Sequence, residues 1–101
     1  MAAGGKALVS YEQNGVDWYD GRRWRYYTDQ NGLLDGSVQA IAIDRQGRPW
    51  VATEERSLGC LQGDEWATAL INKPIRSLAV HPDGALWLAD DGGHVTVLQV
   101  K

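Results

Sequence analysis

Val38-Gln39-Ala40-Ile41-Ala42-Ile43, then Asp44-Arg45-Gln46-Gly47, then Pro49-Trp50-Val51-Ala52-Thr53: two apolar runs hold a glycine-bearing turn between them. The first run is apolar on both faces, as a strand buried from two sides must be. Alternation predicts Val38, Ala40 and Ala42 on one face and Ile41 and Ile43 on the other. Small residues on one face let a neighbouring sheet approach closely. Gly47 supplies the positive φ that a tight turn needs. The pattern returns 37 residues on as Ile75–Val80, His81-Pro82-Asp83-Gly84 and Leu86–Ala89. Ile75, Ser77 and Ala79 then match the Val38 face. Upstream, a shift of 42 places Gly5 on Gly47, Leu8 on Trp50, Val9 on Val51, Val16 on Leu58 and Trp24 on Trp66.

The chain is therefore repetitive, and each copy reads as strands. Third strands are expected at Val16–Tyr19, Leu58–Leu61 and Val95–Leu98, and fourth strands at Trp24–Thr28 and Trp66–Leu70. The two periods differ because the connection 29–36 is long and 71–74 is short. A period of about 40 residues falls in the range of β-propeller blades. With strands labelled A to D, residues 1–28 hold B-C-D, residues 37–70 a full blade and residues 75–100 A-B-C. The expected fold class is all-β: antiparallel four-stranded propeller blades, about two and a half per chain. Propellers have roughly 4 to 8 blades. The chain is thus expected to form a ring with copies of itself, a dimer ahead of a trimer, or to be a piece of a longer protein. Its unlike ends suit head-to-tail closure.

Composition narrows the function classes. A hydrophobic fraction of 44% supports a core and argues against disorder. A net charge of −3 argues against nucleic acid as the main partner. No apolar run is long enough to span a bilayer as a helix, so no membrane partner is expected. The start Met1-Ala2-Ala3-Gly4-Gly5-Lys6 lacks a signal-peptide h-region, which points to the cytoplasm. The single Cys60 excludes an internal disulfide and a cysteine-rich metal site.

Trp24-Arg25-Tyr26-Tyr27-Thr28, Asn31-Gly32-Leu33, Ser37–Ala42, Asp44, Gly47 and Trp50-Val51-Ala52-Thr53 resemble the two-component-regulator propeller repeat. The third copy is similar to the broader group of propellers with D-G-x-L-W repeats, including streptogramin-lyase-like and gluconolactonase-like ones. The resemblance implies propeller blades and, since such repeats usually form extracytoplasmic sensor domains, leans away from the cytoplasm. Its residues are turn glycines and packing tryptophans, which speak for a fold and little for a function.

Trp50 and Trp87 hold equivalent positions and read as core residues, although a tryptophan there could stack a sugar. The stretch Trp18, Tyr19, Arg22, Arg23, Trp24, Arg25, Tyr26 and Tyr27 interleaves aromatics with arginines, a pattern that stacks sugars or bases and pairs with anions. The middle copy does not share it, which makes Trp18, Arg22, Trp24 and Tyr26 candidate ligand-binding residues beside the alternative of an outer strand packed on the next blade. Gln39 and Arg76 join them from the innermost strands, with Ser37 and Ser77, at the mouth of a central channel. His81 reads as a turn residue in the place of Asp44. Asp90, Asp91 and His94 are sparse ligands for a metal, so neither metal nor cofactor is expected. The function expected is a non-enzymatic module binding a small ligand or a protein. A small oligomeric lectin is the first alternative and a propeller lyase or lactonase the second.

Overall fold

The computed structural model describes residues 2–11, 15–28, 37–53, 57–63, 65–70, 75–90 and 92–99. The two connections of unequal length, the Asn31-Gly32-Leu33 part of the repeat motif and Asp91 lie outside them. Among the described residues there are eleven strands and no helix. They form three antiparallel meanders. The first sheet holds β1 (Ala2–Ala3), β2 (Lys6–Ser10), β3 (Val16–Tyr19) and β4 (Trp24–Tyr27). The second holds β5 (Val38–Ile43), β6 (Pro49–Thr53), β7 (Ser57–Gln62) and β8 (Glu65–Leu70). The third holds β9 (Ile75–Val80), β10 (Leu86–Asp90) and β11 (Val95–Leu98).

One element corrects the expected layout. The repeat predicts three strands for the first sheet, and the structure adds β1 as a fourth. Ala2 pairs with Ala7 and Ala3 with Lys6. Gly4 and Gly5 both take positive φ, 59° and 80°, as the tight two-residue turns of hairpins require. Two residues are too few for any periodicity to show, so only the turn glycines announce this strand.

The sheets pack face to face, with the second in the middle. Leu8, Val16, Trp18 and Tyr27 of the first sheet meet Ile43, Val51 and Leu61 of the second. On its other face, Ala42, Ala52 and Leu58 meet Ile75, Leu78, Leu86 and Leu88 of the third. Adjacent residues Val51 and Ala52 are both fully buried, one in each core. That follows from strand geometry: successive side chains point to opposite faces. The small residues of β5 have the predicted consequence, since β5 packs beside β9.

A repeated irregularity changes which residues face which core. Val38 pairs with Thr53 and Ala40 with Ala52, leaving Gln39 as an extra residue on β5. Ile75 pairs with Asp90 and Ser77 with Ala89, leaving Arg76 as an extra residue on β9. These β-bulges lie 37 residues apart, so the second and third sheets carry the same irregularity at matching places. An extra residue turns everything before it to the opposite face. Val38 therefore packs with Ile41 and Ile43 and not, as alternation alone predicts, with Ala40 and Ala42. Ile75 likewise joins the core that holds Leu78 and Val80.

Trp87 also departs from expectation. Trp50 packs against the second core, whereas its equivalent Trp87 is 40% exposed. The reason is positional: among the described residues no further sheet lies on the outward face of the third sheet, where the His81 ring stacks on Trp87 at 5.0 Å between centroids.

Leu8 and Leu86 are both fully buried, one in each core. Leu8→Ala and Leu86→Ala should each lower unfolding free energy by about 2–5 kcal/mol, measured by urea denaturation. An unchanged midpoint for either would mean that its sheet interface is not part of the cooperative core.

Candidate functional site

The turns at one end of the sheets are built alike. In β5–β6, Asp44 N–H donates to the Arg48 carbonyl and Gly47 N–H to the Asp44 carbonyl, at 3.0 and 2.9 Å. In β9–β10, His81 N–H donates to Ala85 and Gly84 N–H to His81, both at 2.8 Å. Gly47 and Gly84 take φ of 81° and 96°, the left-handed position of a three-residue hairpin loop.

Asp44 holds its turn with both carboxylate oxygens. Oδ1 accepts from the backbone N–H of Gln46 and Arg48, each at 2.9 Å. Oδ2 accepts from Arg48 Nε at 2.9 Å and Trp50 Nε1 at 2.8 Å. Burial is the largest single influence on this carboxyl and acts to raise its pKa. The Trp50 and Arg48 hydrogen bonds and the Arg48 charge together outweigh it and hold the pKa below the ordinary carboxylate value. His81 does part of the same work in the third sheet: its Nδ1 accepts from Asp83 N–H at 3.2 Å. The expected reading of His81 as a turn residue is what the structure shows.

Neighbouring turns are bridged from sheet to sheet. Lys6 Nζ donates to the Gly47 carbonyl at 3.3 Å, and Arg45 Nη1 donates to the Pro82 carbonyl. A cavity of about 310 Å³ lies between Asp44–Gln46 and Asp83–Gly84. A second, of about 340 Å³, lies between Ala3, Gly4 and Lys6 and the same β5–β6 turn. Arg45 and Gln46 line both. The two cavities thus occupy successive sheet junctions along one rim of turns. Sequence reasoning passed over Lys6, Arg45, Gln46 and Asp83 as candidates. The available signal was the recurring turn glycine with charged residues at and beside it.

The residues singled out from the sequence fall in three places. Trp18 is 4% exposed in the first core and has no surface to offer a ligand. Trp24 and Tyr26 lie on the outward face of the first sheet, 56% and 53% exposed. Trp24 packs on Tyr19 at 5.2 Å between ring centroids, and Tyr26 meets Tyr11 edge-on at 5.7 Å. Arg22 is exposed on the β3–β4 turn, its N–H donating to Asp20 Oδ1 at 2.8 Å. Gln39 and Arg76 are the exposed bulge residues of β5 and β9. They stand at the ends of their strands away from the turn rim.

Asp90 Oδ1 accepts from the N–H of Gly92 and His94, at 2.9 and 3.0 Å, so this carboxylate also holds a turn. Among the described residues no three His, Cys, Asp or Glu side chains are grouped to hold a metal. Cys60 is buried between β6 and β8, and burial pushes its thiol up to about 11.

No model of a known protein family matches the chain, and no curated protein resembles it at a significant level. The resemblance to propeller repeats rests on the motif residues themselves.

Two measurements follow. A carboxyl whose pKa is depressed on folding stabilises above its unfolded value and loses that contribution as pH falls through the folded one. Unfolding free energy of the wild type should therefore drop below about pH 4. In Asp44→Asn it should be lower at pH 7 and fall less on acidification. A parallel acid profile in the variant would remove Asp44 from this role. Cys60 should react with a thiol reagent at pH 8 only as fast as the chain unfolds, because the thiolate is the reactive form. Immediate modification of the folded protein would contradict its burial.

Proposed function

We propose that the three sheets are β-propeller blades and that the chain is a non-catalytic binding module whose ligand or protein partner seats on the turn rim. The observation that carries the reading is the recurrence of one junction: two sheet interfaces and two cavities at successive turns, with a basic side chain reaching a backbone carbonyl of the next turn at each, Lys6 to Gly47 and Arg45 to Pro82. A ring of such junctions presents a row of equivalent polar niches. Recognition modules of this kind read their partners with backbone groups and a few charged side chains set on rigid turns. Lys6, Arg45, Gln46 and Asp83 supply that chemistry here. The described carboxylates nearest the rim support binding over catalysis: Asp44 has all its acceptor sites engaged and Asp83 accepts from Ala85 N–H at 2.8 Å. The motif residues of the propeller repeat support the same fold reading. The three sheets alone do not complete a ring, so the module works within a larger assembly.

A second reading has its own observation. Trp24 and Tyr26 project from one face, more than half exposed, with Arg22 exposed on the turn that precedes their strand, as aromatic platforms of a lectin do.

The test is a titration of ¹⁵N-labelled protein with a panel of neutral oligosaccharides and of acidic and basic tetrapeptides. The rim reading expects amide shifts centred on residues 44–47 and 81–84, with affinity at least tenfold weaker in Arg45→Ala. Shifts confined to Trp24 and Tyr26 with neutral sugars would replace it with the lectin reading. Binding unaffected by Arg45→Ala would overturn the rim assignment.

A further inference from the structure

The two outermost sheet faces are the unpaired halves of a junction the chain already makes twice. On the second sheet, Val51 and Leu61 pack toward the first sheet, with Trp66 against them. Their equivalents on the first sheet are Val9, Tyr19 and Trp24, which point outward. On the second sheet, Ala52 and Leu58 pack toward the third, with Trp50 against them. Their equivalents on the third sheet are Ala89, Val95 and Trp87, which point outward too. Val9 is 43% exposed, Trp24 56%, Trp87 40%, Val95 56% and Val97 47%. Exposed apolar side chains gathered on one sheet face mark a surface made to be covered; on the first sheet Asp17 stands opposite Val9 and accepts from the Tyr11 hydroxyl.

The packing code of the junction extends to the open face. Across the second and third strands of each sheet, one face carries a directly opposed pair of one tryptophan and one smaller residue. The pairs are Leu8 with Trp18, Trp50 with Cys60 and Trp87 with Val97. The first two are packed against the next sheet. The third offers the same pairing of bulk, and among the described residues no sheet meets it; the His81 ring stacks on Trp87 at its edge of the face. The order of large and small differs between sheets, whereas the pairing is kept, as volume-conserving exchange permits.

We infer that the partner for both faces is a second copy of this chain, docked head to tail. The outward face of the third sheet of each copy covers the outward face of the first sheet of the other. This rests on the reading of the sheets as propeller blades, which gives the number of copies. Two copies bring six sheets, twice the three of one chain. Six is the one multiple of three among rings of four to eight blades. The two junctions are related by the two-fold axis of the ring, so each copy gives one of each face. On this assembly Trp24 and Trp87 are interface anchors, and Trp24 is not a sugar platform.

Complementation tests the arrangement, with native mass measured by light scattering at tens of micromolar and folding checked by circular dichroism. The wild type is expected as a dimer, and Trp24→Lys and Trp87→Glu as folded monomers when each is alone. Mixing the two variants should restore the dimer. The mixture forms one junction from unaltered faces and a second that opposes lysine to glutamate. A wild-type monomer would overturn the inference. Loss of association in only one of the variants would overturn it in favour of back-to-back pairing of like faces, and a wild type larger than a dimer would overturn the six-sheet ring. The rim reading is scored separately by the ¹⁵N titration of the same samples. A monomer that still shifts at residues 44–47 loses the dimer and keeps the rim.

Discussion

The burial of the second sheet on both faces is the constraint from which the rest of the structure follows. A strand that must be apolar on two sides cannot use the polar–apolar alternation of a half-exposed sheet. The middle repeat meets this with a division by size. Ile43, Val51 and Leu61 fill one side, while Ala42 and Ala52 with Leu58 and Trp50 fill the other. A one-residue slip would exchange the two sets and place bulk where alanine is needed. The bulges at Gln39 and Arg76 matter for this reason. Each brings one more large residue, Val38 or Ile75, into a core that plain alternation would deny it.

The turn rim depends on the same strands. Asp44 closes the β5–β6 turn and reaches forward to Trp50 Nε1, so the side chain that packs on the third sheet is fixed from the turn. Trp50 thereby ends with its polar edge satisfied and its ring in the core, an arrangement suited to an amphipathic aromatic. Arg45 and Lys6 then join successive turns through backbone carbonyls. Core, turn and rim are thus connected through hydrogen bonds and packing.

Much of this was legible before the structure. Strand positions followed from the repeat, since turn glycines and paired aliphatic runs recur at fixed spacing. The close approach of β5 to β9 followed from Ala40 and Ala42. Three things escaped for physical reasons. β1 is too short to carry a period. The bulges leave the residue pattern unchanged while reversing its facing, so Val38 and Ile75 were assigned to the wrong side. Equivalent positions also need not be equally buried: Trp50 packs against the third sheet and its equivalent Trp87 lies open, because among the described residues one has a following sheet and the other does not. For the site, aromatics and arginines drew attention, although the polar niches are formed by short turn residues whose chemistry is mostly backbone.

The sizes along each sheet bear on how neighbouring sheets are set against one another. On the strands that approach most closely, β5 presents the small Ala40 and Ala42 to Ile75 and Leu78 of β9. Towards the far edge of the first junction the residues are large: Tyr27 of β4 meets Trp66 of β8 edge-on at 5.5 Å between ring centroids. Two sheets held close at one edge and apart at the other enclose a wedge, and twist carries the wedge round. On the proposed blade reading, repetition of such a wedge is what would close a ring. The small Ala79 and Ala89 stand on the open face of the third sheet, and the large Tyr19 and Trp24 on that of the first. The open faces therefore carry the grading that a further junction of the same angle needs.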